Sequence, residues 1–454
     1  MSTTSNAAMP RVMADVQDLL KLAWPVILNR AGVFSLSVVD TIMVGQYAAT
    51  ELAYLGVGQV PMGIAILLAI GLLMGTMVLS SAHFGAGDYE QCGVVWWRSL
   101  PFALLIGSVG FVICLFGEPL LLFFSQPPEI AANAGRISII LGLGLPFAAL
   151  NITTVFFLES INKVKPGMVI ILIANVLNIF LNSIFINGGM GVEPMGAEGS
   201  AWSSLIVRIL QSITVLAFVW HMADWKKFGV RHRPSLAWHH AARQRQIGYA
   251  SGLSLGIENT AFNMLILFAG MIGATVVAAY SITFNIFALC FMIGLGFGSA
   301  TAVRVGNAYG AKNFHLVARY GWIGLGTQMS FLFVLVSCFY FLAPFLVGAY
   351  TQDAEVIALA ILLLKYALLA LLFDAAQALM VQSLRARQDI WAALLIHFVG
   401  FGLVMIPVAY FSIFYWGRGP IGMIDGLVCG SMTATFMAVT RVIQLNHQQI
   451  KQTQ

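Results

Sequence analysis

The segment HFGAGDYEQCGVVWW at residues 83–97 returns, with a period near 225 residues, as AYGAKNFHLVARYGW at residues 308–322. Gly85-Ala86 falls on Gly310-Ala311, Tyr89 on Phe314 and Trp97 on Trp322. A second match pairs FLESINKVK (157–165) with MVQSLRARQ (380–388). The chain therefore reads as two similar halves, and each copy of the motif follows a long apolar run. Those runs define the solvent. Hydrophobic residues make up 59% of the sequence and charged ones only 9%, against about 25% charged in a soluble domain.

A helix needs roughly 20 mostly apolar residues to cross the hydrocarbon core of a bilayer. Twelve windows qualify, near residues 17–43, 52–80, 95–117, 133–158, 165–186, 197–220, 247–271, 275–303, 317–343, 356–381, 389–414 and 421–443. Strands of an outer-membrane barrel would instead alternate over about 10 residues. The expected fold is an all-α integral membrane protein of twelve transmembrane helices in two pseudo-symmetric six-helix lobes. The expected division is an N-terminal lobe at 1–220, a basic linker at 221–246 and a C-terminal lobe at 247–454. Six is an even number, so both lobes enter the membrane from the same side and the repeats are parallel.

The 23 Lys and Arg residues sort sharply onto this scheme. Fourteen fall in the even-numbered loops, at Arg98, Lys163, Lys165, Lys226, Lys227, Arg231, Arg233, Arg243, Arg245, Arg304, Lys312, Arg319, Arg385 and Arg387. The terminal segments add Arg11, Lys21, Arg441 and Lys451, whereas the odd-numbered loops hold only Arg136 and Arg418. This asymmetry places both termini and the even loops in the cytoplasm. The formal charge of +5 thus reports membrane topology and no nucleic-acid partner is expected. Residues 1–16 are polar and the first apolar run is too long for a cleavable signal peptide. The five cysteines lack CxxC spacing and read as packing residues.

Ionisable side chains inside spans cost about 2.5–3.5 kcal/mol each on insertion scales and are functional candidates. Three acids stand out: Asp40 in the first span, Glu258 in the seventh and Asp374 in the tenth. Amides accompany them. Asn175, Asn178 and Asn182 line one face of the fifth span at i, i+3 and i+7. Asn259 and Asn263 adjoin Glu258, Asn285 lies in the eighth span, and Gln377 stands one turn after Asp374. Carboxylates with amide oxygens suit a dehydrated hard cation such as Na⁺, with Glu258 and Asp374 as its candidate ligands. A carboxylate withdrawn from water can equally carry a proton. Arg208 is a possible partner for any of the three acids, while Lys365 is expected to snorkel to the outer interface. His397 reads as a packing residue.

No GxxxxGK[ST] phosphate loop occurs, so transport would draw on an ion gradient, worth about 2.3 kcal/mol per charge per 100 mV. No catalytic cluster suggests an enzyme. Twenty Met and 32 Phe offer a deformable aromatic surface for flat cations.

These features resemble the multidrug and toxic compound extrusion (MATE) family, in its bacterial NorM-type branch. The resemblance spans about residues 17–445 and rests on several motifs. They are Trp24-Pro25, VVDTIMVG around Asp40, the paired HFGAGD and AYGAKN turns, PGM at 166–168, and the positions of Glu258 and Asp374. It implies an inner-membrane monomer exporting small amphiphilic cationic drugs and dyes by Na⁺ or H⁺ antiport, with no other cofactor. It assigns cation and proton coupling to Asp40, Asn178, Asn182, Glu258 and Asp374. Asn259, Asn285 and Gln377 are candidate substrate contacts. Some relatives carry a second acid where Asn182 stands, and often His-Gln at the positions of Tyr280-Ser281. A lipid-linked oligosaccharide flippase of the same superfamily is the alternative. Flippase cavities are usually cationic, and the acidic in-span charges here favour cationic cargo.

Overall fold

A computed structural model describes residues 5–123 and 126–451. The described residues fold into helices with no strand among them. In chain order they are α1 (Ser5–Tyr47), α2 (Ala49–Gly58), α3 (Val60–Gly85), α4 (Tyr89–Leu115), α5 (Gly117–Phe123), α6 (Pro128–Leu143), α7 (Leu145–Ser160), α8 (Lys165–Asn187) and α9 (Gly196–His221). After a 3₁₀ turn at Trp238–Ala241 come α10 (Ala242–Ile272), α11 (Ala274–Gly310), α12 (Phe314–Gly348), α13 (Ala354–Ala386), α14 (Ile390–His397), α15 (Ile406–Phe414) and α16 (Ile421–Lys451). A π-helical stretch, Phe398–Met405, joins α14 to α15.

All twelve apolar windows become helix. Eleven are long and apolar enough to span a bilayer without a sharp bend, and the fourth is the pair α6–α7, bent by 42°. The bend has a local cause. Gly144 separates the two helices and Pro146 follows at the second position of α7, where a residue without an N–H cannot continue the preceding ladder.

The repeat is visible in how helices end. α3 stops in a left-handed residue, Gly87 at φ 78°, and α11 in Lys312 at φ 55°. In both, the next amide reaches back five residues, Asp88 N–H to His83 and Asn313 N–H to Ala308, the Schellman pattern. Asp88 and Asn313 then cap α4 and α12 by accepting from Gln91 and Leu316 amides. The same cap closes α7 at Asn162 (φ 60°) and α13 at Gln388 (φ 64°). This pairs Asn162 with Gln388 and shifts the second sequence match by three residues. Glu159 then corresponds to Arg385, not to Gln382. Apolar identity could not see this, because the register is set by the one residue forced to positive φ.

The chain divides into two compact units, Leu28–Gly252, and Met1–Ile27 with Leu253–Gln454. In the first, α3 packs on α4 and α7, and α8 lies along α9. The first turns of α10 belong here because glycines let backbones touch. A Cβ on Gly75 would overlap the carbonyl oxygen of Gln244, and one on Gly248 that of Leu72. Small residues four apart on both helices are the usual means of close helix contact in lipid. In the second unit, α13 is the central helix, packed on α11, α12 and α16. Its core includes Leu363, Leu364, Leu368 and Leu371.

Candidate functional site

In the first unit, α8 brings Asn178 and Asn182 one turn apart and α1 supplies Asp40. Asn182 Nδ2 donates to Asp40 Oδ1 at 2.7 Å and Asn178 Nδ2 to the same oxygen at 3.2 Å. Ser204 Oγ, from α9, donates to Asp40 Oδ2 at 2.6 Å. Asn178 also reaches Ser203 Oγ at 3.4 Å. Asp40, Asn178, Asn182 and both serines are buried. The carboxylate is thus encircled by donors, while Asn182 Oδ1 is buried with no hydrogen-bond partner. Asn175, on the same helical row, instead donates to the carbonyl oxygens of Gly32 and Ile171. Arg208 donates to Met62 Sδ at 2.7 Å and forms no salt bridge with Asp40.

In the second unit, α13 carries Asp374 and Gln377, α10 carries Glu258, and α16 supplies Ser431. Ser431 Oγ donates to Asp374 Oδ1 at 3.0 Å, and Gln377 Nε2 reaches the same oxygen at 3.5 Å. Gln377 also interacts with Glu258, which lies close enough to Asp374 for the two carboxylates to act on each other electrostatically. His397 Nδ1 lies 3.5 Å from Glu258 Oε2 and 3.2 Å from the Ser254 carbonyl oxygen. Its ring meets Phe401 edge-on at 5.3 Å. The wide π turn that follows His397 lets Gly400 sit where a Cβ would be 2.8 Å from that of Ala434, holding this segment against the helix of Ser431. Such π segments recur at functional sites.

Asp374 Oδ2 and Gln377 Oε1 are both buried without a hydrogen-bond partner. Two orphaned oxygens beside a second carboxylate form the kind of donor set a hard cation or a proton would satisfy. Among the described residues no group of three or more His, Cys, Asp and Glu side chains is placed to hold a metal ion.

Among the described residues, neither Asn259 nor Asn285 is hydrogen-bonded to either cluster. Asn259 offers its carbonyl oxygen to Asn263 Nδ2 at 2.8 Å, and Asn285 Nδ2 donates to Ser281 O at 2.9 Å. Asn285 and Asn263 are exposed on their helices. Lys365 lies over the Tyr340 ring at 5.0 Å, its charge held on an aromatic face.

A further buried ion pair was not anticipated from sequence. Arg30 Nη2 meets Glu159 Oε2 at 3.1 Å and Oε1 at 3.3 Å, and its guanidinium lies over Phe156. The signal was Arg30 itself, a cation inside a span that required a partner. Breaking such a pair from one side leaves a buried charge uncompensated, at about 3–5 kcal/mol. Arg30→Met is therefore expected to lower the thermal midpoint of the purified protein well below that of Arg30→Met/Glu159→Gln. Equal midpoints would show the pair to be energetically idle.

The chain matches the MatE family over residues 25–184 and again over 250–411, two copies offset by the same 225 residues as the motif repeat. It is 33% identical over 439 residues to "Probable multidrug resistance protein NorM" of Caulobacter vibrioides, covering 96% of this chain and 93% of that protein. It is 28% identical over 455 residues to "Multidrug resistance protein PmpM" of Pseudomonas aeruginosa, covering 97% and 94%. Among solved structures, an outward-facing multidrug resistance MATE transporter superposes with a TM-score of 0.89 at 20% identity, over 96% of this chain and 97% of that one. The eukaryotic MATE transporter AtDTX14 superposes at 0.87 and 18% identity, over 98% and 100%. At these identities the structural likeness establishes the fold.

Proposed function

The chain belongs to the MatE family, and on that premise we propose that it is a secondary active multidrug exporter. It moves amphiphilic organic cations outward by alternating access, coupled to inward flow of Na⁺ or H⁺. The observation that carries this reading is the pair of orphaned buried oxygens, Asp374 Oδ2 and Gln377 Oε1, beside Glu258. Leaving such atoms unpaired costs about 1–3 kcal/mol each. A coupling ion that binds and leaves resolves the cost, since the cluster must be open to exchange and cannot be permanently satisfied. Asp40, with Asn178, Asn182 and Ser204, supplies a second, more fully hydrogen-bonded carboxylate in the other unit.

The reading places the chain in the bacterial inner membrane as a monomer, both termini cytoplasmic, with drugs and dyes as cargo and no enzymatic role. The acidic character of both clusters supports cationic cargo over an anionic lipid-linked sugar. Expression in a drug-sensitive bacterial strain is expected to lower accumulation of ethidium or a fluoroquinolone. Unchanged accumulation across a panel of cationic dyes would overturn the proposal.

A further inference from the structure

The segment between α9 and α10 does more than connect them. From Trp225 to Ile257 the sequence contains no Asp or Glu, yet the connection holds Lys226, Lys227, Arg231 and Arg233, and the first turn of α10 adds Arg243 and Arg245. The acid just before it, Asp224, is already paired with Lys163. That ammonium holds the Asp224 carboxyl below the usual carboxylate range. The segment therefore carries a clear excess of positive charge, with Asp224 and, beside Gly229, Glu90 of α4 as neighbouring acids.

It is also folded, not loose. Trp97 Nε1, on α4, donates to Val230 O at 2.6 Å, and Arg98 donates to the carbonyl oxygens of Ser235 and His240. Arg231 donates from Nε and Nη2 to Trp220 O and lies 4.2 Å from the Trp225 ring. Lys227 sits 3.9 Å over Tyr89, and Arg233 lies 5.6 Å over Trp97. Rings thus hold the charged ends of Lys227, Arg231 and Arg233, while Lys226, Lys227, Arg231 and Arg233 stay exposed. Farther along α4, roughly 8 Å past Trp97 and about 20 Å past Tyr89 at about 1.5 Å per residue, lies an aromatic ledge. Trp238 packs on Phe102 at 6.0 Å and Phe102 on Tyr249 at 6.1 Å. Trp238 is 54% exposed and Tyr249 50%.

Both ends of the segment enter membrane-spanning helices, so it must lie at the bilayer surface. Exposed Trp and Tyr near that level are interfacial anchors. Fixed cations immediately outside a span attract anionic lipid. Positive-inside topology alone requires neither the packing of the cations on rings nor the aromatic ledge farther along α4.

We propose that Lys226, Lys227, Arg231 and Arg233, with the Trp238–Tyr249 ledge, form a docking surface for the headgroup of an anionic phospholipid. The cations take the headgroup phosphate and the ledge, farther along α4, takes the acyl chains. Charge complementarity selects a lipid of net negative charge over a zwitterionic one of the same chain length.

Native mass spectrometry of the delipidated full chain, with phosphatidylglycerol or phosphatidylcholine of matched acyl chains, tests this. Phosphatidylglycerol retention is expected to exceed that of phosphatidylcholine by about tenfold or more, given roughly fivefold per engaged cation. The variant K226Q/K227Q/R231Q/R233Q is expected to fall to the phosphatidylcholine level. The charge-preserving K226R/K227R/R231K/R233K is expected to keep the preference, which separates charge from any damage to folding. Equal retention of the two lipids by the parent chain would overturn the proposal. So would a preference that survives the neutralising variant or is lost in the charge-preserving one. Glycerol 3-phosphate bound as tightly as the lipid would also overturn it, by showing a site for free phosphate.

Discussion

Asp374→Asn is expected to abolish coupled dye export while leaving the protein folded. The expectation follows from how the carboxylate is held. Both of its hydrogen bonds, from Ser431 Oγ and Gln377 Nε2, arrive at Oδ1. An asparagine keeps that acceptor in place. Oδ2 has no partner to lose, so the stability cost should stay within about 1 kcal/mol, the scale of one ordinary hydrogen bond. What disappears is the negative charge beside Glu258, and with it the attraction for a coupling cation or proton. The check is efflux measured beside a thermal-unfolding curve of the same preparation. Loss of efflux with an unchanged melting profile is the predicted result. A fully active Asp374→Asn would remove this residue from the coupling machinery.

Asp40→Asn is expected to lose transport too, but with a structural penalty that Asp374→Asn escapes. Asp40 accepts three hydrogen bonds, two at Oδ1 from Asn178 and Asn182 and one at Oδ2 from Ser204. An asparagine there turns an acceptor into an amide donor facing the Ser204 hydroxyl, and the serine must rotate to accept. With all partners buried, one mismatched contact costs about 1–3 kcal/mol. Adding Ser204→Ala to Asp40→Asn should lower the melting temperature further, because it removes the one acceptor left to the new amide, and should restore none of the transport. Full transport by Asp40→Asn would mean that Asp40 serves only to hold α1, α8 and α9 together.

Much of this architecture was legible in the sequence, for physical reasons. Spans announce themselves because lipid tolerates few charges, and the repeat survived in turn chemistry. Spacing put Asn178 and Asn182, one turn apart, on one helical face, while their association with Asp40 on another helix followed only from the resemblance to the MATE family. The partner serines were not legible. Ser203, Ser204 and Ser431 belong to a residue type common in transmembrane helices, with no spacing that marks a partner on another helix. Asn175 shows the opposite limit, since it shares the row of Asn178 yet spends its amide on backbone carbonyls. Glu159 stands one residue beyond the fourth apolar window and so outside the in-span acids, although it is 2% exposed and paired with Arg30. His397 does pack, as its contact with Phe401 indicates, but facing Glu258 gives it a polar side that periodicity could not reveal.

The three-residue correction to the second repeat match carries a further lesson. Once Asn162 is aligned with Gln388, acidic Glu159 stands where the other half has basic Arg385. Arg385 donates to Ser254 Oγ at 2.9 Å, whereas Glu159 accepts from Arg30. The two halves therefore share helix ends and caps but have opposite charge at a corresponding buried position. Their carboxylate clusters share the equivalent helices α1/α10 and α9/α16 but differ in the third, which is α8 in one half and α13, the counterpart of α6–α7, in the other. Duplicated scaffolds with unlike polar interiors give two chemically distinct carboxylate sites in one chain.

Dye efflux from proteoliposomes containing only the purified protein, under an imposed inward Na⁺ gradient or an imposed inward proton gradient and without ATP, tests coupled export most directly. Efflux should accelerate under one of the two gradients, collapse when that gradient is dissipated, and be absent in Asp374→Asn. Dye movement at the same rate with and without either gradient, unaffected by that substitution, would contradict ion-coupled transport through the buried carboxylates.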